Sequence, residues 1–348
     1  MIRSAIAESP GLLGLDTLQA IFVGLGMIVI LITSLIDYRY WASLSRVMYI
    51  GIIAFLFVIF VVGTTLYGSA RWLDTGLVFV QPSELAKIIM ILVLADFFAR
   101  NKDTKRNLRW IGNSFALTMG VAIWILLQPN LSTSIVILVV WFSYLWISGL
   151  PIKYLLSFSA IGMIAFIFII LLLASGVDVP LLHDYQVGRV INFAFPDPTA
   201  RHGDSYNVEQ ALITIGSGGL FGQGYGQSSQ VQLRFLKVRH TDFIFSALAG
   251  EFGFVGTMLV VVMIIFIILR CLRAARKASD LYGSLIAYGF AILLFFQSAV
   301  NIGVNLNVIP VAGLPLPFIS YGGSSLLSLV LGVGLVESVI ARHKSWEF

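Results

Sequence analysis

Two places in this 348-residue sequence combine the residue types that chemistry needs. The first is Arg239-His240-Thr241-Asp242-Phe243-Ile244-Phe245, where a long polar segment runs into a membrane-length apolar stretch. Asp242 is the lone carboxylate there, and a carboxylate at a bilayer boundary is disfavoured unless it is solvated, paired or used. Arg234, Lys237, Arg239 and His240 crowd just upstream. A base beside cations suits chemistry on an anionic lipid: the base accepts a proton while the cations hold developing negative charge. The plain alternative is a helix cap, since Asp accepts hydrogen bonds from the free N–H groups of a first turn.

The second place is Gln81-Pro82-Ser83-Glu84 with Lys87 one turn further on. Pro82 suits the first helical position, and Glu84 at the third can reach back toward the cap. That leaves Lys87 unexplained, on the same face and deeper in the apolar run. A Glu84/Lys87 pair there must face the protein interior or a water-filled cavity. Arg71-Trp72 has the makings of an interfacial anchor. Asp96, near the end of its run, reads as solvated, whereas Glu251 lies deep enough to need a partner. Gln297, Asn301, Asn305 and Asn307 form a polar string that serves either as interhelical bonds or as a substrate lining.

The elements that must position these groups follow from composition. Hydrophobic residues make up 58% of the chain and charged ones 11%, with a mean hydropathy of +0.94. Soluble domains carry about 25% charged residues, so this is a polytopic membrane protein. The net charge of +5 sits in short loops, where it sets orientation and does not form a nucleic-acid surface. A single cysteine, Cys271, excludes an internal disulfide and a cysteine metal cluster.

A spanning helix needs about 20 mostly apolar residues. Nine runs qualify, over 17–36, 47–66, 82–99, 110–127, 131–148, 154–175, 243–269, 281–301 and 320–341. Basic residues follow every odd run, which places those loops in the cytoplasm. Segments 67–81, 176–241 and 302–319 then face outward. Segment 176–241 is too long for an incidental connection, and its aromatic residues argue for order. Its stretch Gly216-Ser217-Gly218-Gly219-Leu220-Phe221-Gly222-Gln223-Gly224-Tyr225-Gly226 matches neither nucleotide-binding glycine motif. It reads as a tight turn allowing close backbone approach, with a ligand cradle as the alternative. No nucleotide site is expected.

The blocks Gln81-Pro82-Ser83-Glu84-Leu85-Ala86-Lys87, His240-Thr241-Asp242-Phe243-Ile244-Phe245 and Gly313-Leu314-Pro315-Leu316-Pro317-Phe318-Ile319-Ser320-Tyr321-Gly322-Gly323-Ser324-Ser325 resemble signatures of the RodA/FtsW (SEDS) family. Gly68-Ser69-Ala70-Arg71-Trp72 and Gly216-Ser217-Gly218-Gly219 do too, and the blocks keep the family's order over nearly the whole chain. Asp37-Tyr38-Arg39 and Tyr49 look more like the elongation member, RodA, than the division member.

The resemblance implies one all-α membrane domain over 1–348, with 176–241 as its large extracytoplasmic loop. It implies a peptidoglycan glycosyltransferase in the bacterial cytoplasmic membrane, polymerising lipid II for elongation. Asp242 would be the catalytic base. Arg71, Glu84, Lys87, Arg234, Lys237, Arg239, His240, Gln210 and Ser320 would bind substrate, with Asp242 in an outer cavity also lined by Glu84, Lys87 and part of segment 176–241. A divalent cation, Mg or Mn, would help with the polyprenyl diphosphate, without a metal site built from protein alone. A class B penicillin-binding protein and the membrane proteins of the elongation complex would be partners. The family has ten spans and this chain nine, so the first helix is expected to be largely missing. Three departures stand out: Gly250 replaces the first of two glutamates, Asn130 an aspartate, and Lys237 a proline. A lipid II flippase and an inactive scaffold are the competing readings.

Overall fold

In a computed structural model of the chain, the described residues are 2–6, 14–62, 64–66, 69–74, 79–174, 184–194 and 204–343. All nine apolar runs are helices: α2 (Leu15–Leu35), α4 (Ser45–Val62), α5 (Pro82–Arg100), α6 (Leu108–Leu127), α7 (Leu131–Ile147), α8 (Ile152–Ala174), α12 (Ile244–Lys277), α13 (Leu281–Asn305) and α14 (Gly323–Ala341). Shorter helices lie between them: α1 (Ile2–Ile6), α3 (Tyr38–Ser43), α9 (Asp184–Ala194), α10 (Asp204–Gly218) and α11 (Ser229–Gln232). By length and composition α2, α6, α12, α13 and α14 can each cross a membrane, and α4 and α7 are shorter apolar helices. The chain is a multi-pass, helix-bundle membrane protein.

One segment differs from the expectation. The second run stops being helical at Val62, and Thr64–Leu66 forms strand β1. It pairs antiparallel with β2 (Ser69–Asp74), which pairs with β3 (Phe79–Val80). Thr64 and Thr65 are β-branched and favour the extended backbone that closes this meander.

The helices divide into two compact units. The larger comprises Leu12–Gly149, Val261–Ser298 and Pro317–Phe348. Its centre is α5, buried along Ala86, Ile88, Met90, Ile91 and Leu94. Small residues let its neighbours approach. Gly334 of α14 sits against Thr33 of α2, and Gly332 against Phe290 of α13. Tyr144 of α7 crosses to α13 and donates to the Leu285 carbonyl at 2.7 Å.

Asp96 corrects the expectation of solvation. It is buried, accepting from Ser45 Oγ at 2.6 Å and Arg100 Nε at 2.6 Å. An arginine four residues on in the same helix is well placed for that pair. Nearby loops are tied together by Asp280, which accepts from Tyr38 Oη at 2.6 Å and Arg39 Nε at 3.0 Å.

The other unit comprises Met1–Gly11, Leu150–Val260 and Ala299–Leu316. Its organising feature is a break in α12 at Gly253, where φ is +65°. The helix bonds lost there are replaced by the glycine-rich turn. The N–H groups of Gln223 and Gly224 donate to the carbonyls of Gly250 and Glu251, each at 3.0 Å. In return Phe254 donates to Gly219 at 2.9 Å and Val255 to Leu220 at 3.0 Å. A broken helix at membrane depth needs such internal partners. Gly222, with φ +82°, has no room for a Cβ against the Glu251 carbonyl.

Candidate active site

Asp242 is built on a strained turn. Val238 has φ +51°, unusual for a β-branched residue. Its carbonyl accepts from Thr241 N at 3.2 Å and Phe243 N at 3.3 Å. Strain of this kind persists where surrounding bonds over-determine it, and here they do. Asn301 Nδ2 donates to the Asp242 carbonyl at 3.1 Å, and Asn305 Nδ2 donates to the same oxygen at 2.9 Å. Asn305 Oδ1 then accepts from Ser246 N at 3.0 Å and Ser246 Oγ at 2.6 Å. Asn301 Nδ2 also holds the Leu314 carbonyl at 2.8 Å. Two side chains one turn apart on α13 thus fix the Asp242 turn and the proline-rich loop together. At these two positions the polar string is a clamp between elements. The N–H of Ser246, third residue of α12, is capped by Asn305.

Asp242 itself is half-buried. A Cβ built on Gly313, whose φ is +68°, would stand 3.9 Å from Asp242 Oδ2 and 3.6 Å from Arg189 Nη1 of α9. Sequence reasoning passed over Arg189. The signal was present: a basic residue in an outward segment runs against the enrichment of Lys and Arg on the cytoplasmic side.

Arg239 is buried and Nη1 donates to the Leu236 carbonyl at 3.4 Å. Burial, with Arg234 nearby, holds its guanidinium below the usual value. Burial likewise pushes the His240 imidazole down, and the Arg239 charge adds to this. His240 therefore favours its neutral form. Arg234 and Lys237 are exposed, and Arg234 has φ +62°. Gln210 is half-buried in α10.

Glu251 has the partner its depth demands: Ser4 Oγ of α1 donates to Oε1, and Gln232 Nε2 donates to Ser4 Oγ at 3.4 Å. Its Oε2 is buried with no protein partner among the described residues. Gly250 has no room for the glutamate that the resemblance implies. A Cβ there would meet Ser228 Oγ and Thr214 Cγ2, each at 2.8 Å.

Glu84 and Lys87 belong to the larger unit. Both are buried, and Lys87 Nζ donates to Glu84 Oε1 at 2.8 Å. Glu84 does not close a capping box on Gln81. The Gln81 N–H donates instead to Ser324 Oγ at 3.1 Å, and Glu84 Oε2 has no partner among the described residues. Asn130 caps α7, accepting from Thr133 N at 3.3 Å, while its Nδ2 donates to Ser83 Oγ at 3.2 Å. An amide does both; the expected aspartate would only accept. Ser320 is buried in this unit. Arg71 lies in β2, with its side chain outside the described residues. Among the described residues no three His, Cys, Asp or Glu groups converge on a metal position.

The model of the family of cell cycle proteins FtsW, RodA and SpoVE matches residues 2–345. The peptidoglycan glycosyltransferase MrdB of Escherichia coli K12 is 36% identical over 323 residues, 92% of this chain and 84% of that protein. The probable peptidoglycan glycosyltransferase FtsW of Escherichia coli O6:H1 is 34% identical over 315 residues, covering 89% and 73%. Among solved structures, the Thermus thermophilus rod shape determining protein RodA matches with a TM-score of 0.70 and 30% identity, over 99% of this chain and 92% of that one. A chain from a study of polymerization and crosslinking by a peptidoglycan synthase complex matches with a TM-score of 0.78 and 29% identity, over 100% and 94%.

Proposed function

Because the chain belongs to the family of cell cycle proteins FtsW, RodA and SpoVE, we infer that it is a peptidoglycan glycosyltransferase. It polymerises lipid II into glycan strands at the outer face of the bacterial cytoplasmic membrane. The observation that supports a chemical role for Asp242 is the division of labour around it. Asn301 and Asn305 grip its main chain, while the residue as a whole is only half-buried.

In the proposed reaction the acceptor sugar hydroxyl gives its proton to Asp242 as its oxygen bonds to the donor's anomeric carbon. The bond from that carbon to the diphosphate breaks, and the electron pair leaves with the polyprenyl diphosphate. One candidate base in the loop that enters α12 favours direct inversion over a covalent sugar intermediate. Arg234, Lys237 and Arg239, just upstream of Asp242 in sequence, offset the charge of the leaving diphosphate. A Mg or Mn ion needs only one or two carboxylates when phosphates supply its other oxygens. Such an ion, carried in on the substrate, would neutralise diphosphate charge.

A partner that crosslinks the product, a class B penicillin-binding protein, would bind an apolar lipid-facing surface through its transmembrane helix. The role in cell elongation, within a complex of other membrane proteins, is part of the same proposal.

Purified protein given labelled lipid II tests the reading. Polymer from the wild type and none from Asp242→Asn are expected. Movement of lipid II across a vesicle membrane without polymer would make the chain a flippase. Neither outcome, with the partner protein present, would make it a scaffold.

A further inference from the structure

We propose that Arg189 binds the diphosphate of the lipid-linked donor, beside Asp242 over the bare backbone of Gly313. This rests on the glycosyltransferase reading and names a residue for its donor site.

The geometry is local to one compact unit. Arg189 projects from α9, Asp242 from the turn before α12, and Gly313 belongs to the proline-rich loop. Among the described residues, the only atoms of other segments within 4 Å of a Cβ built on Gly313 are Arg189 Nη1 and Asp242 Oδ2. At φ +68° this position disfavours a side chain whatever the space. The loop backbone is thereby kept bare where a carboxylate and a guanidinium converge. Asn301 bonds both Asp242 and Leu314, so the separation of the two walls is fixed by one side chain.

Charge argues for a ligand there. The guanidinium is permanently charged and presents a planar fork of donors that matches two phosphate oxygens at once. The other upstream cations are placed differently. Arg239 is buried with its guanidinium on the Leu236 carbonyl, and Arg234 and Lys237 are exposed. With donor bound, the Arg189 N–H groups turn to the diphosphate, and the Asp242 carboxylate takes the acceptor hydroxyl. When the bond from the anomeric carbon to the diphosphate oxygen breaks, the electron pair settles on that oxygen. Arg189 offsets the charge and gives up no proton; the acceptor's proton goes to Asp242.

Binding of a fifteen-carbon polyprenyl diphosphate to the detergent-solubilised full chain tests this. Intrinsic fluorescence reads it directly and inhibition of lipid II polymerisation reads it in function, with the matching polyprenyl alcohol as control. Arg189→Gln should weaken diphosphate binding by about tenfold or more, equivalent to about 1.4 kcal/mol, and leave the alcohol unchanged. Arg189→Lys keeps the charge without the fork and should fall between the two. Asp242→Asn should bind the diphosphate at least as tightly as wild type while making no polymer.

Arg189→Gln that lost polymerisation yet bound diphosphate normally would overturn the proposal, because Arg189 would then act only through Asp242. So would a variant altered in neither respect, or a wild type that ignores the diphosphate. Should Arg189→Gln fail to fold, wild-type affinity in Arg189→Lys would overturn it equally. Diphosphate binding that depends on Arg189 in a wild type unable to polymerise lipid II would sink the enzymatic reading and leave this one standing.

Discussion

Asp242 and Glu84 are both carboxylates at the start of a long helix, and the protein secures them in opposite ways. At Asp242 the grip is on the main chain: Asn301 and Asn305 hold its carbonyl, and the residue is half-buried. At Glu84 the grip is on the carboxylate itself, bonded to Lys87 and buried in the bundle. For the proposed base, a position set through the backbone does not depend on which partner its carboxylate holds, protonated or not. A buried charge has no such freedom, because leaving it unpaired is strongly unfavourable. The difference is between a carboxylate placed by bonds to its backbone and one placed by a bond to its own oxygen.

The comparison breaks most visibly if Asp242 proves structural. Asp242→Asn should lower glycan polymerisation by about 10²–10⁴-fold or more, the usual worth of a general base, with thermal unfolding in detergent close to wild type. A large fall in melting temperature would instead make it a helix cap.

Lys87→Ala probes the other side. It strands a buried carboxylate and should destabilise the bundle by about 3–5 kcal/mol. The double change Glu84→Gln with Lys87→Met should recover most of that loss. A single variant as stable as wild type would mean that Glu84 needs no charge partner.

Asn305→Ala sharpens the distinction. It removes one clamp on Asp242 and the acceptor for Ser246, for about 1–3 kcal/mol of stability. Polymerisation should fall further than in an Asn130→Ala variant of equal melting temperature, since only Asn305 touches the Asp242 turn.

The smallest effect concerns pH. The folded pKa of His240 is depressed by burial and by Arg239, so the stability it contributes is present above its unfolded value of about 6.5 and lost as pH falls below that. Unfolding temperature should drop as pH falls below about 6.5, less so in His240→Gln. Equal drops would remove His240 from the account.

Hydropathy made the nine helices legible, because apolar length is written locally in the chain. The Glu84–Lys87 pair was legible for the same reason, being one turn apart on one helix. What stayed hidden is what the fold joins over distance. Ser4 meets Glu251, Ser45 meets Asp96, and Asn305 meets Ser246 from another helix. Asp96 was misread because its position along the run says nothing of which neighbour covers it. Arg189 was passed over because its relation to Asp242 runs through Gly313, far from both in sequence. The contacts that the side chains of Thr214 and Ser228 make at Gly250 are equally invisible in the sequence.

The exchange of backbone bonds between the glycine-rich turn and the break in α12 has a consequence for solvent isotopes. Four amide protons, on Gln223, Gly224, Phe254 and Val255, sit in bonds that neither segment can open alone. Deuterium can enter only when turn and helix part together, so these positions should exchange in concert and slowly. A stretch whose glycines mark it as the softest of the outer segment is on this reckoning one of its slowest to take up label.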